Sequence, residues 1–392
     1  MTTKFILFFY LLWFNIEITA QNHFCTINFN NDSINLKKDL DYISQLNNTI
    51  NGLKSITPKQ RSILIIPVVV HIVYFNDEMN ICDETIFSQI ERLNIDYSNR
   101  NEDKNDIPNE FKSLASDTQI QFQLAQLDIF GNTTSGITRT KTNKEKIGLS
   151  ESLFVTGKGG KTPWDTEKYL NIWVADIGDN ITGYASMPLQ TDISRDGVVV
   201  HYKYFGQTSN EPYGLGRVAV HEIGHYLGLL HIWGRKNTCD DDDDIDDTPL
   251  QATFNKGCPT YPQNSCGHSN MFMNYMDYVD DNCMFMFTNN QKERMRIVLM
   301  NIRKSLSNSK PFITNQNLNN KIKFYPNPFA SKIMIETDKP INEVIEIYGV
   351  DGKLMYKSEP NLYFLNELCL ETLKSGLYIL KIQDKTFKII KI

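Results

Sequence analysis

The chain has 392 residues, with 40 lysines and arginines against 46 aspartates and glutamates, a formal net charge of -6 and a pI near 5.7. That length allows two or more domains plus accessory segments. The acidic balance and the lack of any dense basic run exclude nucleic-acid binding as the main role.

The N-terminus has the pattern of a secretory signal. Lys4 precedes an almost unbroken apolar run over residues 5–14, too short to favour a membrane span, and Ile18-Thr19-Ala20 offers a cleavage site before Gln21. A retained signal anchor is the competing reading. No other segment is apolar enough to cross a bilayer, so no integral membrane association is expected. Residues 21–60 are polar, Asn-rich and weakly patterned, and read as a propeptide or a loose N-terminal arm. Residues 63–74 (I-L-I-I-P-V-V-V-H-I-V-Y) predict a buried central strand, with Pro67 marking a strand start or an edge location. Residues 85–97 place Ile86, Ile90, Leu93 and Tyr97 on one helical face. Strands are expected at 120–129, 169–175 and 197–204. The alternation predicts an α/β domain. A closing helix is expected over 290–306, with Met295, Val298, Leu299 and Ile302 on one face. The Ser- and Asn-rich stretch 306–321 reads as a linker. Beyond it, short alternating runs at 333–335, 344–348, 353–356, 377–382 and 387–392 are separated by Asp351-Gly352 and Ser375-Gly376. They predict a separate small all-β sandwich.

The α/β half carries His221-Glu222-Ile223-Gly224-His225-Tyr226-Leu227-Gly228-Leu229-Leu230-His231, the pattern H-E-x-x-H-x-x-G-x-x-H. On a helix, His221 and His225 are one turn apart and can grip one ion. Gly228 lets the helix stop and the chain turn sharply, which swings His231 back as a third ligand. Three imidazoles leave a fourth position for water, the mark of a catalytic zinc site rather than a structural one. Zinc lowers the pKa of a bound water to about 7 and polarises a carbonyl. Glu222 is placed to take that water's proton and pass it to the leaving amine. The pattern therefore predicts zinc-dependent hydrolysis of peptide bonds without a covalent intermediate.

Export makes the seven cysteines disulfide candidates. Cys239, Cys258, Cys266 and Cys283 cluster after the zinc motif, and their spacing alone allows three connectivities. Cys25, Cys82 and Cys369 stand apart. Asp240 to Asp244, with Asp246 and Asp247, form either a solvated acidic loop or a calcium site, since dense carboxylates suit a hard cation. Asp243 and Thr248 are the candidate ligands. Cys25 is either an adventitious thiol or a switch whose thiolate fills the open zinc position in a zymogen.

Downstream, Asn274-Tyr275-Met276-Asp277-Tyr278 is the second informative element. Here the sequence resembles the pappalysin (cytophagalysin) family of metzincin metallopeptidases over about residues 60–305. The matching pieces include residues 67–74, Asn94-Ile95-Asp96-Tyr97-Ser98, Gly183-Tyr184-Ala185 and Asp247-Thr248-Pro249. The resemblance implies a metzincin catalytic domain with a twisted mixed sheet and a zinc-binding active-site helix. It implies that Met276 is the apolar base of a Met-turn and that Tyr278 leans toward the zinc to stabilise the oxyanion. It also implies the pairs Cys239–Cys266 and Cys258–Cys283, and calcium in the acidic loop. Bacterial relatives favour arginine just after the scissile bond, and Asp277, Asp280 and Asp281 are candidates to line that pocket. The residue directly before Cys283 is Asn282, where arginine-selective relatives are expected to carry an aspartate. Gln60-Arg61 falls where the propeptide should end, so autolysis before Arg61 fits the same preference.

The C-terminal part resembles the sorting domain of type IX secretion cargo. The resemblance rests on Phe324-Tyr325-Pro326-Asn327-Pro328-Phe329, Ile347-Tyr348, Asp351-Gly352-Lys353, Ser375-Gly376-Leu377-Tyr378 and the basic ending 388–392. It implies export through the periplasm of a Gram-negative bacterium to a secreted or cell-surface location, with the type IX machinery as partner. A carbohydrate- or matrix-binding sandwich is the alternative. The expected partition is signal peptide 1–20, propeptide 21–60, catalytic domain 61–305, linker 306–321 and sorting domain 322–392. The expected function is that of a secreted zinc endopeptidase acting on proteins or peptides. The rival is a catalytically inactive surface adhesin on the same scaffold.

Overall fold

A computed structural model of the chain describes residues 33–57, 62–179, 181–190, 192–308, 322–337, 344–358, 365–382 and 385–392. The signal segment, Cys25 and the Gln60-Arg61 site lie outside these residues, as does most of the linker.

The N-terminal segment departs from a loose arm. Residues Ser33–Lys54 form a 22-residue helix, α1. Its Ile43, Leu46 and Ile50 recur three and four residues apart, which puts them on one face. That face is buried against Met187, Leu230, Ile297 and Val298. The apolar stripe is narrow and diluted by asparagines, so it was hidden in the sequence.

The central sheet is built on β1 (Leu64–Tyr74), an eleven-residue strand buried along most of its length. β2 (Ile120–Leu124) and β4 (Leu170–Ala175) pair with it in parallel. β3 (Ile137–Lys141) continues along the β2 side, pairing with the second half of β1. β6 (Val198–His201) follows β4 in parallel, and β5 (Gly183–Ala185) closes the edge antiparallel to β6. The spatial order is β2-β1-β4-β6-β5, a mixed sheet. Pro67 sits inside a central strand rather than at its start, but pairing with β4 begins only at Val68. Up to Pro67 β1 has a neighbour on one side only, so the missing N–H costs no ladder bond there. β2 is shorter than the expected 120–129.

Helix α2 (Asp83–Tyr97) buries Ile86, Ile90, Leu93 and Tyr97 as its spacing predicts. Helix α3 (Arg217–Tyr226) is buried throughout and begins after Gly216. A hairpin of β7 (Asn264–Ser265) and β8 (His268–Ser269) lies in the cysteine-rich segment. The closing helix is α4 (Asn289–Ile297), opened by a capping box between Thr288 and Gln291. It runs on through one π turn over Val298–Ile302 to α5 (Lys304–Asn308). The helix therefore extends into the start of the expected linker.

The C-terminal part has its own core. β9 (Ile322–Tyr325), β10 (Lys332–Thr337) and β13 (Leu365–Cys369) form one antiparallel sheet in the order β13-β10-β9. β11 (Ile345–Gly349), β12 (Leu354–Lys357), β14 (Gly376–Ile382) and β15 (Lys385–Lys391) form the other, in the order β12-β11-β14-β15. Ile333, Ile335, Ile345, Ile347, Leu380 and Ile389 fill the space between them. The molecule thus has a mixed α/β catalytic domain and a separate all-antiparallel β domain.

Candidate active site

Helix α3 carries His221, Glu222 and His225, all buried. It ends at Tyr226, and Gly228 turns the chain at a φ of 91°. A left-handed glycine at this point brings His231 back over His225. The Nε2 atom of His225 lies 3.0 Å from Nε2 of His221 and 3.1 Å from Nε2 of His231. Among the described residues, this trio is the group of three or more His, Cys, Asp or Glu donors whose ligand atoms lie within 4.8 Å of one another.

The tautomers follow from the partners. His221 Nδ1 donates to the Tyr275 carbonyl at 2.6 Å, and His225 Nδ1 donates to the Leu229 carbonyl at 2.8 Å. A carbonyl only accepts, so both protons sit on Nδ1 and both Nε2 atoms present bare lone pairs. Two facing lone pairs at this distance cannot hydrogen-bond and repel unless a cation lies between them. Burial pushes the His221 ring down to about 4, against the Tyr275 carbonyl, which favours the proton. Burial, then the neighbouring rings, hold His225 and His231 well below the ordinary imidazole range. Neutral, converging, tautomer-fixed imidazoles are the donor set a divalent metal requires.

The turn that bears Met276 packs against the helix of the first two histidines. Tyr275 supplies the carbonyl that orients His221, and the Met276 carbonyl accepts the Ile232 N–H next to His231 at 3.4 Å. Met276 is fully buried. A Cβ on Gly224 would lie 2.5 Å from the Met276 sulfur, so a larger residue there would force the Met276 side chain to shift. Asp277 latches the turn. Its carboxylate accepts from Gln251 Nε2, the Asn255 N–H and Asn255 Nδ2, each at 2.8 Å, and from the Tyr278 N–H at 2.7 Å. The Tyr278 ring lies 4.8 Å from that of His231 and 5.7 Å from that of His221.

A cleft opens beside Glu222, lined by His221, Tyr213, Asp277, Tyr278 and Asp281 among others. Asp277 has spent its lone pairs on the latch, and Asp280 does not line the cleft. Asn282 is exposed and does not line the cleft. Asp281 does. Its Oδ2 accepts from the Leu215 and Arg217 N–H groups at 2.9 and 3.1 Å, while its buried Oδ1 has no hydrogen-bond partner. Burial pushes the Asp281 carboxyl up to about 7, opposed by the Arg217 N–H and guanidinium. That guanidinium is itself shared among Asp96, Asp103 and the Asp281 carbonyl.

One residue at the site escaped the sequence reading. Trp233 stacks on His231 with centroids 4.3 Å apart and planes 7° apart, and so fixes the ring of the third histidine. Its place two residues after the motif was the available signal. Asp281 was one of three acidic candidates, and only the fold singles it out.

The structure pairs Cys239 with Cys266 and Cys258 with Cys283, the pairing implied by the resemblance. In the acidic loop most carboxylates are tied internally. Asp241 accepts from the Arg235 side chain and from the Arg235 and Lys236 N–H groups, and Asp247 accepts from Thr288 and the Asn290 N–H. Asp243 differs. Its Oδ1 accepts from the Thr248 hydroxyl at 2.7 Å, and its buried Oδ2 has no hydrogen-bond partner. Burial drives its carboxyl well above the ordinary range.

Comparison with known proteins places this architecture. Residues 159–300 match the pregnancy-associated plasma protein-A peptidase family, and residues 323–392 match a secretion system C-terminal sorting domain. An extracellular metalloprotease of Arthroderma benhamiae is 28% identical over 258 residues, covering 62% of this chain and 82% of that protein. A solved promirolysin mutant from Tannerella forsythia is 43% identical, covers 69% of this chain and 92% of its own, and superposes with a TM-score of 0.66. Mature mirolysin of Tannerella forsythia, solved in complex with a cleaved peptide, is 44% identical, covers 64% and 97%, and has a TM-score of 0.62. Among the described residues no helix is long and apolar enough to cross a membrane. The chain belongs to the pregnancy-associated plasma protein-A family of metallopeptidases, as a secreted metalloendopeptidase that ends in a type IX sorting domain.

Proposed function

We propose that this enzyme cleaves peptide bonds with a single zinc ion held by His221, His225 and His231. The observation that carries the reading is the pair of bare Nε2 lone pairs, on His221 and His225, facing each other at 3.0 Å. When bound, zinc supplies a Lewis acid that polarises the scissile carbonyl and acidifies water. Glu222, buried at the cleft beside the first histidine, accepts the proton of the attacking water and returns it to the leaving amine. The Tyr278 hydroxyl donates to the oxyanion as it develops. Met276 is the apolar base beneath the histidines. The Oδ1 of Asp281, which has no hydrogen-bond partner, accepts from a basic side chain just after the scissile bond, in keeping with the arginine preference that the resemblance implies.

The same reading extends along the chain. Residues 21–60 act as a prosegment, residues 61–305 as the catalytic domain, 306–321 as a linker and 322–392 as the sorting domain. Cys25 silences the zymogen through its thiolate. Calcium binds at Asp243, whose orphaned Oδ2 fits a hard cation, with Thr248 holding the other oxygen. The type IX machinery carries the protein across the periplasm of a Gram-negative cell to the outside.

Casein zymography with chelator, and after zinc is restored, tests the core of this reading. Zinc should restore the wild type after chelation. Glu222→Ala should keep one bound zinc yet lose at least roughly 10²-fold in rate. A Glu222→Ala variant as active as wild type would remove the glutamate base.

A further inference from the structure

The metal turn is held from behind by a residue outside the metal signature. Arg294 lies on α4 and is buried. Its Nε–H donates to the Gly228 carbonyl at 2.6 Å. The N–H of that same peptide unit, from Leu229, donates to the Gly224 carbonyl at 2.9 Å, so the unit is pinned at both ends. The next carbonyl, that of Leu229, accepts the His225 Nδ1 proton. Arg294 therefore fixes the peptide plane next to the one that orients the second histidine.

Helix α1 meets the same guanidinium. Arg294 Nη2 donates to Asn47 Oδ1 at 2.5 Å, and Asn47 Nδ2 donates onward to Asp244 Oδ2 in the acidic loop. One amide thus spans a cation and an anion, accepting from the first and donating to the second. Below it, Ile50 reaches to 3.8 Å from where a Gly228 Cβ would stand, so the apolar face of α1 backs the same turn. Asn47 is thus the amide that links the Arg294 guanidinium to the Asp244 carboxylate, while the Nε–H of the same guanidinium stays on the Gly228 carbonyl.

We propose that Arg294 is a positioning residue for the metal-binding turn, and that docking of α1 through Asn47 and occupancy of the histidine site by metal strengthen each other. The coupling is reciprocal by thermodynamic necessity. Docked α1 keeps Arg294 on the Gly228 carbonyl and so keeps the histidines ready for metal. Bound metal rigidifies the turn and so preserves the surface on which α1 sits. As a prosegment element, α1 would secure metal loading before its own removal. That last step rests on the prosegment reading above, whereas the coupling does not.

The test uses the full chain carrying Glu222→Ala, which prevents self-cleavage, and Cys25→Ala, which removes the thiolate proposed above as a zinc ligand on the same fragment, with a foreign protease site placed at residues 58–61. After nicking, dissociation of the α1 fragment is measured with Zn2+ bound and after chelation. Zn2+ should slow fragment release by on the order of 10-fold, the scale of effects transmitted through groups that orient ligands. Asn47→Ala should abolish the Zn2+ dependence while circular dichroism stays native. Arg294→Gln should do the same, and combining the two should add nothing further. If Arg294→Gln fails to fold, Asn47→Ala alone decides the question. Equal release with and without Zn2+, or a full Zn2+ effect in Asn47→Ala, overturns the proposal. N-terminal sequencing of the secreted enzyme addresses the prosegment reading separately, since an intact 58–61 segment defeats that reading and leaves the coupling measurement standing.

Discussion

His71, in the middle of β1, is a buried imidazole that serves the fold. Asn171 Nδ2 donates to the Trp164 and Tyr169 carbonyls, which fixes its Oδ1 as the acceptor facing His71 Nε2 at 2.9 Å. His71 therefore carries its proton on Nε2 and accepts the Thr138 hydroxyl on Nδ1 at 2.7 Å. Burial pushes its ring down to about 3, against the Asn171 contact, which favours the proton. The sign follows directly. Above pH 6.5 the ring is neutral in both folded and unfolded chains and adds no pH dependence. As pH falls from 6.5 toward 3, the unfolded chain takes up a proton that the folded chain refuses, so stability is lost. The loss approaches at most about 4 kcal/mol. His71→Gln should flatten the fall of unfolding free energy between pH 6.5 and 4, whatever it costs at neutral pH, and parallel slopes in the two proteins would contradict this. At the cleft floor, Asp281→Asn should cut kcat/KM for a peptide with arginine after the scissile bond by roughly 10- to 100-fold. A leucine-bearing peptide should change little. Equal losses on both peptides would mean that the change disturbed the fold and not the pocket. Sequence had left three aspartates as candidates, because the direction of each side chain depends on turns that no periodicity encodes.

Elements with strong periodicity were legible, and weakly patterned ones were not. The apolar stretches that became β1 and β4, and the face of α2, announced themselves because each buries a continuous face. β3 is half-exposed and mixes threonine with charge, and β5 has three residues held by one neighbour. Neither has enough apolar content to signal a strand. The face of α1 acquires meaning only once Met187, Leu230 and Val298 are seen opposite it. The zinc motif was legible because chemistry fixes its spacing, whereas its supports, Trp233, Arg217 and Arg294, reach it through the fold. The cysteine-rich segment belongs with the elements that needed outside help. It has little regular structure beyond the β7–β8 hairpin and a single 3-10 turn at Asp281–Cys283, and two overlapping disulfides do the work that a core would do. The Cys258–Cys283 bond encloses a separation of 25 residues and anchors the turn that bears Asp281. In the chain-entropy picture such a loop contributes about 3 kcal/mol. Replacing both cysteines by alanine should lower the denaturant midpoint accordingly without changing the zinc content. An unchanged midpoint would show that packing alone holds the segment.

At the scale of the whole molecule, the two main cores share no buried apolar residue among the described residues. One surrounds the central sheet and α3, and the other lies between the two C-terminal sheets. Tyr356 donates to Glu84 of the catalytic unit at 3.3 Å and β13 lies beside α2, so the two units touch while each keeps its own core. Cooperative units follow cores, so heating should produce two transitions rather than one. Only the catalytic unit holds the histidine site and Asp243, and only its transition should respond to metal. A ligand present at about 100 times its dissociation constant adds about 2.7 kcal/mol to the state that binds it. For a domain of this size that is a shift on the order of 5–10 °C. Chelation should lower the catalytic transition by this order, and zinc alone should restore part of it. Added calcium should raise it further in the wild type but not in Asp243→Asn, because the buried oxygen that would receive the ion is then an amide. The C-terminal transition should stay fixed throughout. Scanning calorimetry reads all of this in one series. A single merged transition would mean that the two cores unfold as one unit, and a calcium response that survives in Asp243→Asn would move the calcium site elsewhere in the loop.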